Sequence, residues 1–296
     1  MENWKITGAT RVWIHLSHPS AKTVSTGVLN KVFRERELDV VAVAVDVVPE
    51  ELHALIRGMK GWRNLVGMGV TMPHKEGIAR ACDELVGLAK PMQAVNMIRR
   101  ELDGRLIGGN ADGSGFVTGL RRSGYEPAGM RVLLIGAGGA SAAIAFALAE
   151  AGVSSLVVTN RTAAKAAQIA ARVTQAFPNV PAVAGPPDPT GFDLVVNTTP
   201  LGSREGDALP LDVSLLTPEM LVAEIIVKPP RTPLLAAAEQ RGCRTQPGLP
   251  MLDCQIDEVL AFLQLDQSAS KRSRARKKER GLAARPACGE GRRPGA

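Results

Sequence analysis

Between positions 131 and 141 the chain reads RVLLIGAGGAS, an aliphatic run that meets Gly136, Gly138 and Gly139 and passes straight into an alanine-rich stretch. Strand formers followed so closely by helix formers leave room only for a tight turn, and three glycines keep side chains out of it. Such a turn lets backbone N–H groups and the positive end of a helix approach an anion, the arrangement a dinucleotide pyrophosphate requires. Gly136, Ala137, Gly138, Gly139, Ala140 and Ser141 are the candidate residues. The last position of the GxGxxG spacing is Ser141, and glycine turns also serve packing, so the turn alone leaves a structural role open. Residues 132–149 carry no charge. Their early glycines argue against a membrane span and for a strand, a turn and a buried helix.

About 20 residues beyond such a turn, a protein selective for the non-phosphorylated dinucleotide presents a carboxylate to the ribose. Here the sequence is Asn160-Arg161-Thr162, with Lys165 one turn later. Two cations and no carboxylate favour a 2′-phosphate, so NADP is expected over NAD. The competing explanation is an ordinary helix start, capped by Asn160 or Thr162 with Arg161 in solvent.

The 296 residues suit two domains. Strand-like runs at 12–16, 40–45 and 65–70 alternate with helical spacing at 28–36 and 50–59, a βαβαβ pattern that predicts a mostly parallel sheet. Asp103-Gly104 marks a hairpin turn, and a helix is expected over 113–123. A second series begins at 131, with further strands at 155–159, 194–197 and 221–226, a Pro/Gly-rich separator at 178–191, and helices at 232–241 and 249–265. The expected class is α/β, with an N-terminal βαβ domain over 1–110, a second βαβ domain over 111–245, a helical segment within 246–265, and a basic, disordered tail over 266–296.

Ten Lys/Arg and three Asp/Glu in that tail carry a net +7, the whole of the chain's formal +7. The body is therefore neutral, and no nucleic-acid partner is expected of it. Cys82, Cys243, Cys254 and Cys288 show no CxxC spacing, and the N-terminus lacks a signal peptide's apolar core, so a reducing cytoplasmic setting is expected without membrane attachment. The four histidines show no metal-ligand spacing, so no metal is expected, and the three tryptophans suggest packing.

Lys75 follows a buried strand and Asp112 follows the hairpin. Brought together at a cleft, such a pair moves a proton to or from a substrate oxygen, the carboxylate orienting the ammonium. Spacing alone does not show that they meet, and most Lys and Asp residues are simply solvated charges.

Together with these residues, Thr71-Met-Pro-His-Lys75, Ala94-Val-Asn96, Asn110-Ala-Asp112-Gly113, Gly136-Ala-Gly-Gly-Ala-Ser141, Asn160-Arg-Thr162, Asn197-Thr-Thr-Pro-Leu-Gly202, Thr232-Pro-Leu-Leu235 and Gly248-Leu-Pro-Met251-Leu-Asp-Cys-Gln255 resemble the shikimate dehydrogenase family, in the family's own order. The resemblance implies that residues 1–110 are a substrate-binding domain, residues 111–245 an NADP-binding Rossmann domain and residues 246–265 a C-terminal helix returning to the first domain, and it implies reversible reduction of 3-dehydroshikimate to shikimate within aromatic amino acid biosynthesis. It assigns Lys75 and Asp112 as the catalytic pair, and Thr71, Asn96, Asp112 and Gln255 as ligands of the ring hydroxyls. Thr23 and Ser25 stand where the family binds the substrate carboxylate. Thr198, Val227, Gly248 and Met251 join the glycine turn, Asn160, Arg161, Thr162 and Lys165 on the cofactor side. A monomer or homodimer is expected.

Thr26 stands where the family's carboxylate-binding element has a Pro and Glu224 where it has an Asp, and three polar side chains of the pattern are missing: Gly69 replaces an Asn, Ala111 a Thr, and Val227 a Tyr. Lost polar contacts leave a quinate or aminoshikimate dehydrogenase as an alternative, and a catalytically weak NADP-binding sensor as another.

Overall fold

The computed structural model describes residues 5–23 and 25–265. The basic tail, Trp4 and Cys288 lie outside the described residues.

The first half builds one mixed sheet. In chain order its elements are β1 (Arg11–Ser17), α1 (Ser25–Glu35), β2 (Val40–Asp46), α2 (Leu52–Lys60), β3 (Leu65–Val70), α3 (Lys75–Ala79), β4 (Glu84–Leu85), α4 (Ala89–Met92), β5 (Met97–Arg100) and β6 (Leu106–Gly109). The strand order is β2-β1-β3-β5-β6-β4. β1 is parallel to β2 and β3, as the βαβαβ pattern predicts, and β5 runs antiparallel to both β3 and β6. Gly104 supplies the positive φ (93°) in the turn between β5 and β6, where a Cβ would lie 2.7 Å from the Lys60 carbonyl oxygen.

After α5 (Asp112–Arg122), the second half runs β7 (Arg131–Ile135), α6 (Gly139–Glu150), β8 (Ser155–Thr159), α7 (Ala163–Ala176), β9 (Ala182–Ala184), β10 (Leu194–Asn197), β11 (Leu221–Glu224), α8 (Pro233–Gln240), β12 (Arg244–Gln246) and α9 (Leu249–Phe262). These strands form a parallel sheet in the order β12-β11-β10-β7-β8-β9. The order reverses at β7, between β8 and β10, where a crevice opens beyond the strand ends.

α6 explains the uncharged stretch. Its Ala143 to Ala149 are all buried, with the sheet on one side and α5 on the other. A Cβ at Gly113 would lie 2.1 Å from the Ala143 carbonyl oxygen, so α5 meets α6 at backbone distance. Among the described residues no helix is long and apolar enough to cross a membrane.

α9 joins the two halves. It starts beside the second sheet at Gly248, packs on Gly115 and Gly119 of α5, and ends on the first sheet, where Leu260 and Leu263 share a core with Trp13, Phe33 and Val40. The sequence pattern gives the long strands closely but not β4, β9 or β12, each only two or three residues long. β9 lies inside the expected Pro/Gly-rich separator, and the strand expected over 221–226 ends at Glu224.

Candidate active site

β3 ends at Val70, and Thr71 to His74 turn the chain so that Lys75 opens α3 at the edge of the first sheet. His74 is buried and donates from Nε2 to the Val47 carbonyl (2.8 Å), a structural bond that takes it out of proton transfer. Asp112 opens α5 just after β6. The two turns bring Lys75 Nζ to 2.5 Å from Asp112 Oδ2, with the side chains 19% and 13% exposed.

The other carboxylate oxygen, Oδ1, accepts from Asn96 Nδ2 (2.7 Å) and Gln255 Nε2 (3.2 Å). Asn96 is itself oriented, because its Oδ1 accepts from the Ala111 N–H (2.9 Å). Asn110 Oδ1 accepts the Asp112 N–H (3.0 Å). The carboxylate thus holds the ammonium while amides from β5's leading loop and from α9 fix the carboxylate.

These groups wall a cavity of about 250 Å³. Ser25, Thr71, Asn96, Asp112 and Gln255 line it together with Lys75, so five of the six sequence-derived substrate positions converge with the catalytic lysine candidate. Thr23 does not line it; its hydroxyl is 3.0 Å from Ser17 Oγ, bonded within the loop before α1. Sequence reasoning missed Trp13, His15 and the α9 residues Leu252, Ile256 and Val259 in the wall. For α9 the signal was available in its helical spacing once Gln255 was placed in the site.

A second cleft, about 590 Å³, lies at the crevice beyond β7, β8 and β10. Gly136, Ala137, Gly138, Asn160, Arg161, Thr162 and Lys165 line it. Gly136 has φ 118°, and a Cβ there would lie 2.4 Å from Thr198 Oγ1. Thr198 donates to the Ile135 carbonyl (2.7 Å) and buried Ser141 donates to the Gly136 carbonyl (2.6 Å), so both brace the turn from inside and do not face the cleft. Gly139 and Ala140 form the first turn of α6 behind it.

Gly138 caps α6 without a side-chain bond, no acidic residue occupies the first turn, and nothing lies within 4 Å of where a Gly138 Cβ would stand. This cradle and the free N–H groups of a helix start fit a pyrophosphate. Arg161 and Lys165 are exposed, form no ion pair among the described residues, and share the cleft with no carboxylate, which fits a 2′-phosphate. Asn160 Nδ2 donates to the Thr162 carbonyl (3.1 Å) at the start of α7.

Three other cofactor-side positions lie outside this cleft. Gly248 permits close packing, since a Cβ would lie 2.5 Å from the Ile226 carbonyl oxygen, and Met251 is buried against α5. Val227 is half-buried beyond β11. The cleft also includes Thr159, Pro187, Thr199, Pro200, Leu201 and Pro210. Of these, Thr199 to Leu201 stood within a motif already singled out.

Behind the cleft, Glu224 is fully buried and accepts from Asn197 Nδ2 (3.1 and 3.2 Å) and Thr232 Oγ1 (3.0 Å). Burial pushes its carboxyl up to about 7, against the opposing pull of those hydrogen bonds. Among the described residues no group of three or more His, Cys, Asp or Glu is placed to hold a metal.

A Rossmann sheet with a glycine-turn cleft, joined through α9 to a mixed sheet holding a lysine–aspartate pair, defines a two-domain dehydrogenase. Residues 16–98 match the shikimate dehydrogenase substrate binding domain, and residues 121–183 match shikimate / quinate 5-dehydrogenase. The shikimate dehydrogenase (NADP(+)) of Rubrobacter xylanophilus is 38% identical over 92% of this chain and 97% of its own. A Listeria monocytogenes shikimate 5-dehydrogenase, solved with shikimate and NAD, superimposes with a TM-score of 0.83 at 28% identity, covering 90% of this chain and 97% of that one. The 5-ketofructose reductase of a Gluconobacter species gives 0.79 at 30% identity, with 88% and 98% covered. The chain belongs to the shikimate dehydrogenase family and is an oxidoreductase.

Proposed function

We propose that this chain reversibly reduces 3-dehydroshikimate to shikimate with NADPH. The observation that carries the reading is the convergence on one carboxylate, Asp112, of Lys75, Asn96 and Gln255 in a cavity of substrate size. Residues 1–110 supply most of that cavity, residues 111–245 the cofactor cleft together with Asp112, and residues 246–265 the helix that closes the cavity wall.

The cofactor's nicotinamide, when bound, exchanges a hydride with the carbon bearing the substrate oxygen. Lys75 gives the proton to that oxygen in reduction and takes it back in oxidation, with Asp112 orienting the ammonium. Thr71, Asn96 and Gln255 offer a hydroxyl and two amides to the ring hydroxyls. Ser25, at the start of α1, faces the substrate carboxylate, with Thr23 supporting that loop. Arg161 and Lys165 hold the 2′-phosphate, and the N-terminus of α6 holds the pyrophosphate. The free cysteines support a cytoplasmic setting, and a monomer or homodimer suffices for this site.

Gly69, Ala111 and Val227 favour a second reading, a neighbouring cyclic hydroxy acid such as quinate or an aminated shikimate. Absorbance at the nicotinamide band, followed with shikimate, quinate and their dehydro forms under NADPH and NADH, decides between them. Fastest turnover of the shikimate pair with NADPH is expected, and no absorbance change with any of them would overturn the reading.

A further inference from the structure

His15 lies in the wall of the substrate cavity, yet neither the motifs nor the proton relay account for it. It stands on β1 directly across from Gly69 on β3, in the register that pairs the two strands. A Cβ built at Gly69 would come within 2.6 Å of His15 Nδ1 and 2.5 Å of Trp13 Cζ2. The space that a side chain at 69 would fill is therefore taken by two rings from the neighbouring strand. Glycine at 69 is the condition for that exchange, and it brings a nitrogen heterocycle to a place where the family pattern has an amide.

The ring's chemistry follows from its surroundings. The Trp13 and His15 ring centroids are 5.6 Å apart, with the planes tilted by 41°. His15 Nδ1 is enclosed and has no hydrogen-bond partner among the described residues, whereas Nε2 is not enclosed in this way. Burial, and then the charge of Lys75, push the imidazole down to about 4, so it is neutral at physiological pH. In a neutral imidazole one nitrogen carries the proton. A buried N–H without an acceptor is rarer than a bare lone pair, so the proton belongs on Nε2. His15 then enters the cavity as a neutral donor beside a charged Lys–Asp pair, which suits a hydroxyl and makes no demand for a counter-charge.

We propose that His15 is a substrate-specificity residue, whose Nε2–H donates to a ring hydroxyl of a polyhydroxylated cyclic acid and replaces from β1 the polar contact that Gly69 cannot make. The proposal rests on the function argued above.

The test compares wild type, His15→Ala and His15→Gln on shikimate and on analogues lacking one ring hydroxyl each. For shikimate, His15→Ala should lower kcat/KM about 10–100-fold, mostly through KM, and the amide of His15→Gln should restore part of it. For one deoxy analogue, wild type should already show that loss and His15→Ala should add nothing. Equal kinetics of wild type and His15→Ala on shikimate, or an equal loss on shikimate and every deoxy analogue, overturns the role. If wild type turns over none of the compounds, the proposed function falls, and calorimetric binding of shikimate still decides this one: weaker binding to His15→Ala supports it, while unchanged or absent binding overturns it.

Discussion

Gln255 donates to Asp112 Oδ1 across 3.2 Å from a helix 143 positions further along the chain. This bond makes α9 part of the Lys75–Asp112 cluster as well as of the core. Removing one of three donors to Asp112 leaves the pair assembled but less fixed, whereas removing Lys75 deletes the proposed proton donor. Gln255→Ala should lower kcat/KM about tenfold, and Lys75→Ala should lower kcat by about 10²–10⁴. NADPH affinity, read by quenching of protein fluorescence, should be unchanged in both. Full turnover by Lys75→Ala would overturn the assignment.

Arg161 and Lys165 reach the second cleft without an ion-pair partner among the described residues, so their charge is available to a 2′-phosphate. The double variant Arg161→Ala/Lys165→Ala should raise KM for NADPH about 10–100-fold, the loss expected for hydrogen bonds to charged groups. KM for NADH should stay within about twofold, because the shared pyrophosphate site at α6 is untouched. A parallel rise for both cofactors would show that these residues shape the cleft without reading the phosphate.

Burial raises the Glu224 carboxyl from 4.5 to about 7. Between those values the folded protein retains a proton that the unfolded chain has released. Stability therefore falls as pH rises through that window and stays lower above it. Glu224→Gln has no such proton, so wild type should lose up to about 3 kcal/mol relative to the variant between pH 4.5 and 8. Urea midpoints across that range measure it, and parallel curves would mean that Asn197 and Thr232 hold Glu224 ionised throughout.

Gly136 combines a φ of 118° with a neighbouring hydroxyl only 2.4 Å from a would-be Cβ. Gly136→Ala should cost about 1–3 kcal/mol from the backbone conformation, seen as a lower thermal midpoint. It should also weaken both NADPH and NADH, since displacing Thr198 releases the brace on the Ile135 carbonyl. Gly138→Ala, with open space at its Cβ, should leave the midpoint nearly unchanged and impair cofactor binding alone.

Much of this was legible in the residues because the strands at 65–70, 131–135, 155–159 and 194–197 are continuous apolar runs bounded by breakers, and such runs need no tertiary information. β4, β9 and β12 are too short to carry a period and owe their pairing to the sheet edge they meet. Lys75 and Asp112 were recognisable as types, but their meeting depends on two separate turns that each deliver a helix start to the same edge. His15 was not recognisable, because its position depends on what stands opposite on β3. Periodicity reports which face of a strand a residue occupies, not which neighbour leaves room for it.

The path of α9 also fixes the order in which the site is completed. Lys75, Asn96 and Asp112 emerge from the ribosome within the first half of the chain, but Gln255 and the wall residues Leu252, Ile256 and Val259 follow only after the whole Rossmann sheet. During synthesis the first sheet therefore waits with the Trp13 and Phe33 face of its core uncovered while more than 100 residues are added. The cavity cannot close before the second sheet has been made, so a chain stopped short of α9 carries the Lys75–Asp112 pair without the helix that holds it in place.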